Sequence, residues 1–151
     1  MAAKDIVSQH LRAVEAGDWD KALSFIGDDY RLDGVIPFPV SLFVRIGKAK
    51  SLDMHKARKR ALPDFKFNEQ YMEETAEAVK FQVNLTGTHT GVIDYTGLVR
   101  GVPVVPPTGK AVKLNPEWFT YTVRDGKIVK TVGEIPKNAG VPGLVRAVTE
   151  G

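Results

Sequence analysis

The chain has 151 residues, 43% of them hydrophobic and 26% charged, with a formal charge of +3. That balance excludes a disordered tail, and so small a basic excess predicts solubility rather than a nucleic-acid partner. The absence of cysteine excludes thiol catalysis, thiolate zinc sites and iron–sulfur clusters.

His10, His55 and His89 stand too far apart in sequence for a local metal motif, so neither a metal nor another cofactor is expected. No apolar run opens the chain and none approaches a membrane span. A cytoplasmic protein without membrane contacts is therefore expected, folded as one domain over residues 1–151.

Helical spacing of Ile6, Val7, Leu11 and Val14 predicts a helix over Ala3 to Ala16, stopped by Gly17. Asp18 is placed to cap a shorter helix carrying Trp19, Ala22, Leu23, Phe25 and Ile26. Tyr30 and Leu32 alternate with charges and suggest a short strand. Gly34, Pro37 and Pro39 then interrupt regular structure until Leu42 to Ile46. A third helix is expected from about Lys48 to Ala61, ended by Pro63. Its Lys48, Lys50, Lys56, Arg58, Lys59 and Arg60 read as a solvated face, with Leu52 and His55 on the inner side.

Beyond Pro63 the apolar period falls to two. Phe65, Phe67 and Gln70-Tyr71 begin a strand, and Val79, Phe81, Val83 and Leu85 alternate with polar residues in another. A Gly- and Pro-rich connection spans Gly91 to Lys110, either a functional lid or a spacer. Alternation returns at Glu117, Phe119, Tyr121 and Val123, and Asp125-Gly126 marks a tight hairpin into Lys127 to Ile135. Gly140 to Gly151 can form a short amphipathic helix. Helices gathered ahead of antiparallel strands describe an α+β domain with helices over one face of a curved sheet.

Several short motifs follow one another in a recognisable order: Ala16-Gly17-Asp18-Trp19, Leu62-Pro63-Asp64-Phe65, Gly87-Thr88-His89-Thr90-Gly91, Pro106-Pro107-Thr108-Gly109-Lys110 and Asp125-Gly126-Lys127-Ile128. In that order and spacing the chain resembles the SnoaL-like polyketide cyclases (ester cyclases) of the nuclear transport factor 2-like superfamily. The resemblance implies a cone formed by a strongly bent antiparallel sheet of cystatin-like type, with N-terminal helices over an apolar pocket and frequent homodimerisation through the outer sheet face. It also implies a catalytic aspartate at the end of the last strand. Counted from Gly126, that position is Pro136, and Thr131 and Val132 replace the usual histidine and tryptophan before it. The aspartates and strand-borne arginine of the related limonene epoxide hydrolases are not found either.

Three residues are candidates for the chemistry. Glu134, two residues before Pro136, shares that position's face by alternation; in an apolar cone its pKa would rise, making it a proton shuttle. His89 has the parity of Val79 to Leu85 if no bulge intervenes at Gly87. Glu117 shares a face with Phe119 and Tyr121 and is a second candidate buried carboxylate. Phe81, Phe119, Tyr121, Tyr30 and His55 are expected to line the ligand site. Glu134 and His89 are expected to face one common cavity, and Trp118, on the opposite face from Glu117, to serve a subunit contact or packing under a helix. Lys110 closes no phosphate loop, because Val104 and Ala111 occupy positions that need Gly and Ser or Thr.

The expected function is cofactor-free cyclisation or isomerisation of a small apolar organic molecule such as a polyketide-like compound. The alternatives are a non-catalytic small-molecule-binding or scaffold protein of the same fold and, third, an epoxide hydrolase.

Overall fold

The computed structural model describes residues 1–36 and 42–150; the reading of Pro37 and Pro39 as breakers lies outside them. Four helices and eight strands are found among these residues: α1 (Ala3–Ala16), α2 (Trp19–Ser24), β1 (Ile26–Ile36), β2 (Leu42–Gly47), α3 (Lys48–Ala61), β3 (Gln70–Glu74), β4 (Ala78–Val83), β5 (Thr86–Thr88), β6 (Ala111–Lys113), β7 (Glu117–Arg124), β8 (Lys127–Glu134) and α4 (Gly140–Thr149). α1 ends where Gly17 takes a left-handed turn at φ 72°, and Asp18 caps α2 by accepting from the Lys21 N–H at 3.3 Å. α2 stops at Ser24, earlier than its apolar pattern suggests, because Ile26 is drawn into β1 beside Ile128.

A curved six-stranded sheet has the order β2-β1-β8-β7-β4-β3, and a separate pair joins β5 to β6. All neighbours are antiparallel except β1 and β8, which run parallel. The expected long strand through Leu85 is broken after Val83, since Asn84 turns its N–H to the Phe67 carbonyl. Asp125 (φ 51°) and Gly126 (φ 74°) form the hairpin between β7 and β8, the two positive angles that a tight turn of this hand requires.

Register assigns the two faces. Val79, Tyr121, Thr131, Leu32 and Ile46 lie in one row across the sheet, and Phe81, Phe119, Gly133, Gly34 and Val44 in the next. These rows face the helices. Gly133 leaves room for Phe119, whose ring would lie 2.8 Å from a Cβ at that position. The opposite face carries Gln82, Trp118 and Glu134 in one row and Lys80, Thr120, Val132, Asp33 and Arg45 in another. There the Asp33 carboxylate accepts from Arg45 at 2.8 Å, which holds its pKa below the usual range. No helix among the described residues is long and apolar enough to cross a membrane.

Candidate active site

Between the helices and the inner sheet face lies a cavity of about 160 Å³. Its sheet wall holds Glu117, Phe119, Tyr121, Thr131 and Tyr30; its helix wall holds His10 of α1 and Ser51, Met54, His55 and Arg58 of α3. Tyr95, from the long connection, and Leu144, from α4, complete the lining. The connection is held by His89, whose N–H donates to the Lys110 carbonyl at 2.9 Å, and by mutual hydrogen bonds between Ile93 and Val105.

Glu117 opens β7 opposite Val83, with 6% of its surface exposed. Burial pushes its carboxyl up to about 7, against the opposing pull of the Arg58 cation and a hydrogen bond from the Gly140 backbone. Arg58 makes no ion pair with Glu117. Its guanidinium stands 5.5 Å and 5.4 Å from the Phe65 and Phe67 ring centres and reaches His55 Nδ1 at 2.8 Å. Phe67 is fixed in turn by Glu15 of α1, whose carboxylate accepts the Phe67 N–H at 2.8 Å.

Both tyrosines are buried phenols. The Tyr30 hydroxyl donates to Thr131 Oγ1 at 2.8 Å, and burial raises its pKa to about 12; burial raises Tyr121 further still. His10 is lowered to about 4 and His55 well below its usual value, in each case chiefly by desolvation. At neutral pH the site thus holds neutral imidazoles and phenols, one cation and a carboxyl poised between its two forms.

Of the residues expected to line the cavity, Glu117, Phe119, Tyr121, Tyr30 and His55 do so. Glu134 does not. It is exposed on the outer face beside Trp118, because β8 contains a bulge: Thr122 pairs with Lys130 but Val123 with Ile128, so Val129 is an extra residue. One inserted residue exchanges the two faces beyond it, sending Thr131, Gly133 and Ile135 inward and Glu134 outward.

His89 is fully buried but stands outside the cavity, with Nδ1 2.8 Å from Thr108 Oγ1 and accepting the Thr108 N–H at 3.2 Å. The expected shared cavity of Glu134 and His89 is therefore overturned. Phe81 faces inward yet packs between Tyr71 and Tyr121, at 6.2 Å from each ring centre, and does not reach the cavity. Two further residues line it: Arg58, expected on the solvated face of α3, and His10, for which the sequence suggests no role beyond the exclusion of a metal motif. His10 falls three and four residues from Val7 and Ile6 on the apolar stripe of α1, and Arg58 three and four from His55 and Met54 on the inner side of α3. Those spacings were the available signal.

An α+β layer pair enclosing an apolar cavity with one buried carboxyl defines a pocketed fold suited to small organic molecules. The chain belongs to the SnoaL-like polyketide cyclase family, whose model matches residues 4–136. A proposed SnoaL-like polyketide cyclase from Jannaschia sp. CCS1 is similar at 16% identity and a TM-score of 0.67, over 98% of this chain and 92% of that one. IdmH, a proposed polyketide cyclase from Streptomyces antibioticus, is similar at 21% identity and 0.65, over 86% and 88%. A protein of unknown function with a cystatin-like fold from Xanthomonas campestris is similar at 19% and 0.58, over 88% and 89%. Such identities carry the fold alone. No curated protein sequence matches the chain.

Proposed function

We infer that this protein performs cofactor-free acid/base chemistry on a small, largely apolar organic molecule. Glu117 takes a proton from carbon beside a carbonyl. The enolate carbon then bonds to a second carbonyl carbon of the same molecule, and Glu117 returns its proton to the new alkoxide; reprotonation at another carbon gives isomerisation instead. The observation that carries this reading is one buried carboxyl with a pKa of about 7 in an apolar cavity. A base is most effective when its pKa lies near the working pH. Arg58 supplies positive charge to a developing enolate oxygen, and the phenol of Tyr121 remains a proton donor, while that of Tyr30 is held by Thr131. Phe119 and His55 contribute to the ligand wall.

Deuterium exchange at the methyl group of acetophenone, followed by NMR in heavy water, tests the proton-transfer step. With ionised Glu117 as the base, the protein-dependent rate should rise with pH through one step near 7. The histidines stay neutral there and add no second step. A rate absent would favour a binding protein without chemistry, and one flat from about pH 5 to about pH 9 would move the chemistry to a base other than Glu117.

The working unit is the single domain 1–151, acting in the cytoplasm as a homodimer joined through the outer sheet face. Half-buried Trp118, between Gln82 and Glu134, supports that assembly. Sedimentation at micromolar concentration should give the mass of two chains; a monomer throughout would remove the dimer.

A further inference from the structure

His10 and His55 stand on different helices, and both rings line the cavity, with centres 6.1 Å apart and planes at 71°. Each ring has one nitrogen tied to the protein, and the ties have opposite sense. His10 Nδ1 lies 3.0 Å from the Ala22 carbonyl oxygen, which can only accept, so Nδ1 carries the hydrogen and Nε2 keeps a bare lone pair. His55 Nδ1 lies 2.8 Å from Arg58 Nη1, which can only donate, so Nδ1 accepts and the hydrogen sits on Nε2. Burial keeps both rings neutral, so these tautomers persist at neutral pH. Neither Nε2 has a hydrogen-bond partner among the described residues.

We propose that the two Nε2 atoms form a station for one hydroxyl group of the ligand, a phenol or enol, whose oxygen accepts from His55 and whose proton is donated to His10. A hydroxyl is donor and acceptor at once. Two hydrogen bonds of about 2.8 Å match the scale of the ring separation. A ketone or ether oxygen satisfies only His55 and leaves the desolvated His10 lone pair without a partner. The volume suits one ring: a cavity of about 150 Å³ is enough to hold benzene.

The station deepens the reading given above and rests on the cavity being the ligand site. It sets the ligand's hydroxyl on the helix wall, while Glu117 works from the sheet wall. His10 and His55 are thereby residues of specificity, selecting a hydroxylated aromatic or enolic substrate class over its ether or hydrocarbon analogues.

Phenol and fluorobenzene, nearly equal in shape, separate the station from simple apolar binding, and the measurement needs no turnover. The expected result by NMR titration is that phenol binds about five- to tenfold tighter than fluorobenzene. His10→Asn keeps a donor for the Ala22 carbonyl but has nothing where Nε2 stood, and should lose that preference; His55→Asn, which retains an acceptor for Arg58, should do the same. Should either variant fail to fold, ring nitrogen-15 shifts of the unaltered protein decide. They should report hydrogen on Nδ1 of His10 and on Nε2 of His55, with both Nε2 signals moved by phenol and not by fluorobenzene. The same tautomer in both rings, Nε2 signals unmoved by phenol, or equal affinity for the two probes, would overturn the station while leaving Glu117 chemistry standing. Binding of neither probe would overturn the station together with the cavity reading.

Discussion

Replacing Glu117 by glutamine is expected to slow protein-dependent proton exchange by about 10²- to 10⁴-fold while making the fold more stable above neutral pH. The two effects have one cause. The Glu117 carboxyl has a pKa raised from 4.5 to about 7 because burial penalises its charged form. The native state therefore holds a proton over a range in which the unfolded chain has released it, and stability falls as pH rises from about 4.5 to about 7, then levels off. A displacement of that size is worth roughly 3 kcal/mol. Glutamine keeps the shape and has no proton to lose, so that part of the decline should vanish in Glu117→Gln. Urea unfolding at about pH 5 and about pH 8 measures the difference, and acetophenone exchange measures the activity. Equal pH dependence of stability in parent and variant would mean that Glu117 does not titrate as a buried group. Undiminished exchange in the variant would move the chemistry to another residue.

Much of this fold is legible in the chain, and the failures are local. The end of α3 was readable because Pro63 follows its last turn, and the β7–β8 hairpin because Asp125-Gly126 admits the positive angles it needs. Glu117 was placed correctly since β7 runs without interruption from Glu117 to Thr122, so alternation held. Glu134 was misplaced by the same rule, because the bulge at Val129 leaves no mark in composition and parity cannot be counted across an unseen extra residue. His89 is buried, as its parity suggested, although the strand through which that parity was counted ends at Val83. Its partner was not legible, since Thr108 lies nineteen residues away and is brought to it by the folding back of the long connection. Arg58 read as one more solvated cation of a basic helix; what distinguishes it is the pair of phenylalanine rings beneath its guanidinium, contributed by residues beyond the helix end. Contacts made across the chain, rather than along it, account for most of what periodicity did not show.

Gly91→Ala is expected to cost about 3 kcal/mol or more, the largest loss of stability from the addition of one methyl group anywhere along the connection. Gly91 follows the His89 clamp and donates its N–H to the Ala61 carbonyl at 3.1 Å, satisfying one of the carbonyls left open at the end of α3. Its backbone runs so close to the helix that a Cβ would sit 1.7 Å from the Arg60 carbonyl oxygen and 2.9 Å from the Arg60 carbonyl carbon. Neither atom can rotate away, because both belong to backbone. Relief requires the connection and α3 to separate, which breaks the Gly91–Ala61 bond and draws Tyr95 from the cavity wall that His55 and Arg58 share. Gly97→Ala is the matched control. Gly97 has φ 80° with nothing within 4 Å of a Cβ, so alanine there meets only the left-handed backbone penalty, about 1 kcal/mol. Urea unfolding of both variants beside the parent distinguishes the two mechanisms, and the loss in Gly91→Ala should exceed that in Gly97→Ala by at least about twofold. Equal losses would show that the connection is not seated against the end of α3, and that Tyr95 owes its place in the cavity to some other contact.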